Sequence, residues 1–386
     1  MKLKLSTLFK DFTSSEKNAG LVLVACTILS LVIANSSLSE SYHHFWHQKI
    51  GFSISNFDLH FSLEHWINDG LMTIFFLLVG LEIERELYAG ELHPIKNAIL
   101  PIAGAIGGMI VPALIFTALN NNSPAANGFG IPMGTDIAFA LGVLSLAGNR
   151  VPLSIKILLT AIAIIDDLGS ILIIALFYGS DIQFTYLLIS LSIFGFLLVL
   201  NRLRINSMIP YLLLGILMWF FMMQSGIHPT ITGVLLAFAF PFANGDEDSP
   251  SIKLQHRLHI PVAFIILPIF TLANTAIPVK TEYLSNLTQS HSIGIFLGLL
   301  IGKPIGILTA FYVVTKLRLV GLPVGLKKRD LLALGCIAGI GFTMSIFITQ
   351  LAFHDDALIQ SSKLAILISS TIAALLGLFL FRSLKS

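Results

Sequence analysis

Charge is what this sequence has least of. Only 11% of its 386 residues are Asp, Glu, Lys or Arg, against about 25% in a soluble domain. A soluble core of this size needs a charged shell, and the residues to build one are missing. Neither sign dominates. The formal net charge is +2, which excludes a general basic face for nucleic acid. Cysteine is scarcer still. Cys26 and Cys336 lie far apart in apolar runs, which argues against a disulfide framework and against a cysteine metal site. Low-complexity segments and a separable soluble domain are also lacking.

What fills the chain is apolar: 55% of residues are hydrophobic, and the mean hydropathy is +0.87. A membrane-spanning helix needs roughly 20 mainly apolar residues. Candidate spans cover 15–35, 64–87, 97–119, 129–148, 151–178, 183–201, 207–223, 226–243, 257–278, 291–315, 331–352 and 358–382. The first could be the apolar part of a cleaved signal peptide. Its leading segment, however, is long and carries Asp11 and Glu16, so it reads as a retained first helix. The connections are short. The expectation is an all-α membrane protein of twelve helices forming one domain over residues 1–386.

Lysine and arginine placement tests that count, because cytoplasmic loops of membrane proteins are enriched in both. With the N-terminus inside and the sides alternating, 19 of the 23 fall on the inner side. Lys49, Lys280 and Lys363 fall outside, and Lys303 falls within a span. A wrong count would scramble this bias, so both termini are expected in the cytoplasm. In the first outer loop, residues 48–54 and 57–61 alternate in polarity around Ser55-Asn56, which predicts a short β-hairpin.

Ionisable groups at membrane depth cost about 2.5–3.5 kcal/mol each on insertion scales and mark function by default. Here they cluster. Asp136 lies in GIPMGTDIAFALG, Asp166 and Asp167 in AIAIIDDLGSILII, and Lys303 in GLLIGKPIGI. One lysine cannot neutralise three carboxylates, so ion pairing for packing alone does not account for the set. Adjacent Asp166 and Asp167 point about 100° apart on a helix. Two hard oxygen ligands, with the Thr135 hydroxyl and freed carbonyls nearby, suit a small hard cation, and the same carboxylates carry protons. Lys303 adds a compact charge that compensates a carboxylate or joins the proton count. The fourth span is interrupted by Pro132, Gly134 and Thr135, the eleventh by GCIAGIGFTMS. Interrupted helices at matching positions in two halves point to a binding site at the midplane of a transporter. Likeness between the two spans is slight, little beyond Thr135/Phe139 against Thr343/Phe347.

At these residues the chain resembles the NhaA-type sodium/proton antiporters over nearly its whole length. The matching stretches include WINDGLMTIFFLLVGLEIERELYAG, TDIAFALGVLSLAG, LTAIAIIDDLGSILIIALFY, SGIHPTITGV, LIGKPIGI and GIGFTMSIFI. The resemblance implies an inverted-topology repeat of spans three to five and ten to twelve, with spans four and eleven crossing at unwound centres. It implies Asp166 and Asp167 as the ion- and proton-binding pair with Thr135 nearby, and Asp136 and Lys303 balancing half-helix ends. It implies electrogenic exchange in the bacterial inner membrane, active at alkaline pH, with Na+ and H+ as substrates and Li+ a further candidate. No cofactor is expected. Glu82, Arg85, Glu86, Lys253 and His256 match its pH-response region, and His228 a family histidine. Where relatives often carry glutamate, this chain has Gln255, read as standing on a wet cytoplasmic rim. A homodimer joined through the 48–61 hairpin is also implied, in contact with membrane lipid.

Two other classes compete. Among enzymes, intramembrane aspartyl proteases need a GxGD motif, which is absent, and prenyltransferases need DxxxD or DDxxD, whereas Asp167 is followed by Leu168-Gly169-Ser170. A cation channel is the runner-up. A buried pair of titrating carboxylates favours obligatory exchange over open conduction.

Overall fold

The computed structural model describes residues 2–51, 53–54, 57–90, 93, 95–148, 151–179, 181–246, 248–323 and 326–383. Fourteen helices carry the architecture: α1 (Lys2–Ala34), α2 (Ser39–His47), α3 (Leu63–Tyr88), α4 (Ile95–Asn120), α5 (Ile137–Leu146), α6 (Leu153–Phe177), α7 (Phe184–Arg202), α8 (Met208–Gln224), α9 (Ile231–Ala239), α10 (Pro250–Asn274), α11 (Ser290–Lys316), α12 (Lys328–Ala338), α13 (Phe342–Ala352) and α14 (Asp356–Arg382). A 3-10 helix, Ala126–Met133, leads into α5.

Among the described residues, eight helices are long and apolar enough to cross a membrane. The count rises to ten if each of two bent pairs is one span: Ala126–Met133 with α5, bent by 41°, and α12 with α13, bent by 44°. Of the twelve spans expected from sequence, the seventh corresponds to α8, with 17 residues, and the eighth to the stretch holding α9, with nine. Both are short for a full crossing. Large apolar side chains stand exposed along α7 and α8, among them Leu188, Leu198, Leu213 and Ile216. In water such a surface is untenable, whereas lipid tails solvate it.

The chain divides into two compact units. The first takes Met1–Ala25, Pro94–Ser170 and Val279–Ser386. In it α4 lies along α11, and α14 packs on α11, α12 and α13. At Gly107 and Gly306 the α4–α11 contact is made by backbone. A Cβ on Gly107 would run into the Gly306 carbonyl oxygen, and a Cβ on Gly306 into that of Gly107. Small residues that let helices touch in this way replace the hydrophobic drive that lipid removes.

The second unit takes Cys26–His93 and Ile171–Pro278. Here α3 packs against α9 and α10, and α7 against α8. Its apolar core includes Leu77, Leu81, Tyr211, Leu236, Phe240 and Leu254. The hairpin expected from polarity alternation is present in this unit. Strands β1 (Lys49–Ile50) and β4 (Phe61–Ser62) pair antiparallel, as do β2 (Ser53–Ile54) and β3 (Phe57–Asp58). The Ser55-Asn56 turn lies outside the described residues.

Three helices contain a π-helical turn: Trp66–Leu71 in α3, Val262–Ile266 in α10 and Gly298–Gly302 in α11. Such turns insert a residue, re-aim the side chains beyond it, and are frequent at functional sites. The third immediately precedes Lys303.

Candidate ion-binding site

Local sequence dictates the two breaks. Pro132 has no N–H to donate, and Gly134 (φ −71°, ψ 153°) and Asp136 (φ −82°, ψ 104°) are extended, so the helix stops and restarts at Ile137. In the other pair, α12 ends at Gly339, and α13 begins at Phe342 after Gly341. Broken helices strand carbonyls and amides that apolar surroundings cannot solvate. Here each break satisfies the other. The Asp136 amide donates to the Ile340 carbonyl at 2.7 Å. Thr135 Oγ1 lies 2.9 Å from the Ala338 carbonyl, and Ser345 Oγ donates to the Ile131 carbonyl at 2.6 Å.

Asp136 stands at two helix starts. Its Oδ1 accepts from the Phe139 amide at 2.9 Å, capping α5. Its Oδ2 accepts from the Thr343 amide at 3.0 Å and the Thr343 hydroxyl at 2.6 Å, in the first turn of α13. Each helix N-terminus presents about half a positive charge, so one carboxylate faces two half-charges.

Asp166, Asp167 and Lys303 are all buried on α6 and α11, at 0%, 1% and 0% exposure. Lys303 Nζ forms an ion pair with Asp166 Oδ2. The same oxygen is 2.7 Å from Thr135 Oγ1. Lys303 of α11 is thus paired with the Asp166 carboxylate of α6. Thr135 has one hydroxyl hydrogen for two acceptors, Asp166 and the Ala338 carbonyl, so which it serves depends on what else Asp166 holds. Asp166 Oδ1 has no hydrogen-bond partner among the described residues, which leaves a ligand position on that carboxylate. Asp167 follows Asp166 on α6 and is also buried, so two acids and one base lie close together in the sequence-predicted cluster.

The residues expected to respond to pH lie in the second unit. Arg85 pairs with Glu86 at 2.9 Å, and Lys253 with Asp248 at 2.8 Å. The hydrogen bond from Lys253, and then its charge, hold the exposed Asp248 carboxyl below its ordinary range. His256 is exposed and Glu82 half-buried. His228 faces Asp69 across 3.5 Å and Thr230 Oγ1 at 2.7 Å. Gln255 does not stand on a wet rim. It is 3% exposed, because α10 turns that face inward with Ser251 and Leu254.

Sequence reasoning misses three groups. Thr343, which binds Asp136, is visible there only as a counterpart of Thr135. Asp69, which His65 also approaches at 3.2 Å, sits near the start of a span where an acid draws no notice. Glu84 is buried at 5% and accepts from Ser251 at 2.8 Å. The charged run Glu82-Ile83-Glu84-Arg85-Glu86 disguises it. The available signal is its spacing from Leu77, Gly80 and Leu81, seven, four and three residues back on one helical face. Among the described residues, no group of three or more His, Cys, Asp or Glu side chains could hold a resident metal.

A bundle of lipid-compatible helices enclosing a charged cluster at two helix breaks defines a transporter of small ions. The comparisons make the class specific, since residues 10–381 match the family described as Na+/H+ antiporter 1. The chain belongs to that family. It is 58% identical over 377 residues to the Na(+)/H(+) antiporter NhaA of Flavobacterium psychrophilum, covering 98% of this chain and 96% of that one. It is 54% identical to the NhaA of Cytophaga hutchinsonii over 376 residues, 97% and 95% of the two chains. Among solved structures it shares its fold with the sodium proton antiporter MjNhaP1 from Methanocaldococcus jannaschii. The TM-score is 0.55 at 14% identity, covering 100% of this chain and 99% of that one.

Proposed function

We propose that this protein exchanges Na+ for protons across the bacterial inner membrane, with Asp166 and Asp167 as the shared binding pair and Thr135 as a further oxygen ligand. The observation that carries the reading is the buried Asp166–Lys303–Thr135 group with Asp167, a second buried carboxyl, next to it on α6. Carboxylates that bind either sodium or protons release the one on taking up the other. Family membership and the names of the relatives support the same ions. Asp136 balances the starts of α5 and α13, and Lys303 holds Asp166 in place and balances its charge.

The finer features rest on the resemblance and on charge placement. They are twelve spans with both termini cytoplasmic, an inverted repeat whose fourth and eleventh spans are the two bent pairs, crossing at their breaks, and electrogenic exchange that switches on at alkaline pH through the groups around Glu82, Arg85, Glu86, Lys253 and His256. Both compact units serve one transporter domain over residues 1–386. In this reading the 48–61 hairpin joins two copies in the lipid bilayer through its strand edge.

The test is proton movement driven by a sodium gradient in proteoliposomes of the pure protein. Exchange requires that apparent sodium affinity fall with pH, by about tenfold per unit for each competing proton. Sodium current without a proton gradient would instead make the protein a channel.

A further inference from the structure

A serine inside an apolar helix commonly turns its hydroxyl back on the helix and donates to the carbonyl four residues earlier. Ser192, Ser361 and Ser369 do so here, to the carbonyls of Leu188, Ala357 and Ala365 at 2.7, 2.5 and 2.7 Å. Ser170 of α6 does not. It is 1% exposed, and its Oγ has no hydrogen-bond partner among the described residues. A buried hydroxyl in that state is uncommon and costs free energy. The carbonyl it leaves unused is that of Asp166.

The place of Ser170 on the helix says what the hydroxyl is kept for. At about 100° per residue, Ser170 projects about 40° round from Asp166 and about 60° round from Asp167. It therefore lies in angle between the two carboxylates, about one turn further along α6. The neighbouring element is the break before α5. A Cβ added to Gly134 would stand 3.9 Å from Ser170 Oγ and 2.9 Å from Met344 Cβ. Gly134 precedes Thr135, whose Oγ1 is 2.7 Å from Asp166 Oδ2. The Ser170 hydroxyl thus meets the same extended segment that brings Thr135 to Asp166. The other carboxylate oxygen, Asp166 Oδ1, also has no hydrogen-bond partner among the described residues. Two buried oxygens in this state, one turn apart on one helix face, suit a hard cation, which binds oxygen lone pairs and needs no hydrogen.

We infer that Ser170 is a further oxygen ligand of the bound cation, completing with Asp166, Asp167 and Thr135 a shell that Na+ needs more fully than Li+. Li+ is the smaller ion and fills its shell with fewer oxygens, so the loss of one ligand weighs more on Na+. The assignment rests on the function proposed above and names a determinant of ion preference within it.

Calorimetric titration of the pure protein with NaCl and with LiCl at alkaline pH tests it, alongside sodium- and lithium-driven proton movement in proteoliposomes. Ser170→Ala removes the oxygen. It is expected to weaken Na+ binding by about two- to tenfold, the worth of one neutral polar contact, and Li+ binding by less. The KM for Na+ is expected to rise by the same factor while the maximal rate holds. Ser170→Cys keeps the shape of the side chain and puts a soft sulfur where the hard oxygen was. It is expected to lose Na+ affinity as Ser170→Ala does, which a packing role for the serine would not produce. Wild-type Na+ affinity in either variant, or equal losses for Na+ and Li+, would overturn the assignment. The two claims fail separately. A wild-type protein that binds both ions but moves no protons sinks the proposed function and leaves the ligand assignment standing, whereas normal exchange with unchanged affinity in both variants sinks only the ligand.

Discussion

In the unit built from residues 1–25, 94–170 and 279–386, buried acids meet positive charge that is fixed in place. Asp136 faces two helix starts, and Asp166 faces Lys303. In the other unit the buried acids lie on a continuous helix, α3, and their partners are neutral or titratable: Ser251 for Glu84, His65 and His228 for Asp69. Both arrangements keep an acid out of lipid. In the reading proposed above, the first holds charge steady so that an added ion is felt, and the second lets the protein's own charge change with pH. Breaking a helix is what makes the first possible, since only a broken helix offers half-charges in the middle of a span.

The largest expected effect breaks the fixed-charge side. Asp167→Asn is expected to abolish sodium-driven proton transport and Asp166→Asn to impair it severely, measured in proteoliposomes. Wild-type exchange in both would remove the site. Next, Lys303→Ala leaves Asp166 buried without its cation. Such a loss costs about 3–5 kcal/mol, and should appear as a large drop in thermal unfolding temperature that Asp166→Asn partly restores in the double variant. No rescue would mean that the pair does not act as one.

Thr343→Ala deletes one hydroxyl bond to the Asp136 carboxylate while the amide bond remains. The expected loss is about 1.5–3 kcal/mol, read from the same unfolding measurement. On the titratable side, Gln255→Glu adds a second carboxyl to the α3–α10 face. Like charges in one place hold protons longer, so the antiport midpoint should move to higher pH. An unmoved or acid-shifted midpoint would show that this face does not govern pH response through charge. The smallest effect on transport is expected from deleting residues 48–61, which should yield monomers in detergent that still exchange. A dimer that survives would place the main contact elsewhere.

Most of the ion site could be read from the sequence, because an Asp or Lys inside an apolar run is conspicuous. Asp136, Asp166, Asp167 and Lys303 needed no structure to be suspected. Their pairing did need it. Asp166 and Lys303 lie 137 positions apart, and nothing local to either says which end of the arrangement the lysine serves. The hairpin was legible because alternation is a local signal. Glu84 and Gln255 were not, since each sits among charged neighbours and only the way α3 meets α10 decides which of them turns inward. The two short helices α8 and α9 escape a span count for a related reason: hydropathy reports how apolar a stretch is, not how much of it coils.

The mutual contact of Gly107 and Gly306 sets a tolerance on the machine. Lys303 stands three residues, less than one turn, before Gly306 on α11. Its stem is thus anchored at a point where two backbones touch with no side chain between them to act as a shim. At this point the spacing of α4 and α11 is set by main-chain atoms. The reach of the ammonium toward Asp166 therefore starts from a stretch of α11 whose distance from α4 is gauged by main-chain atoms.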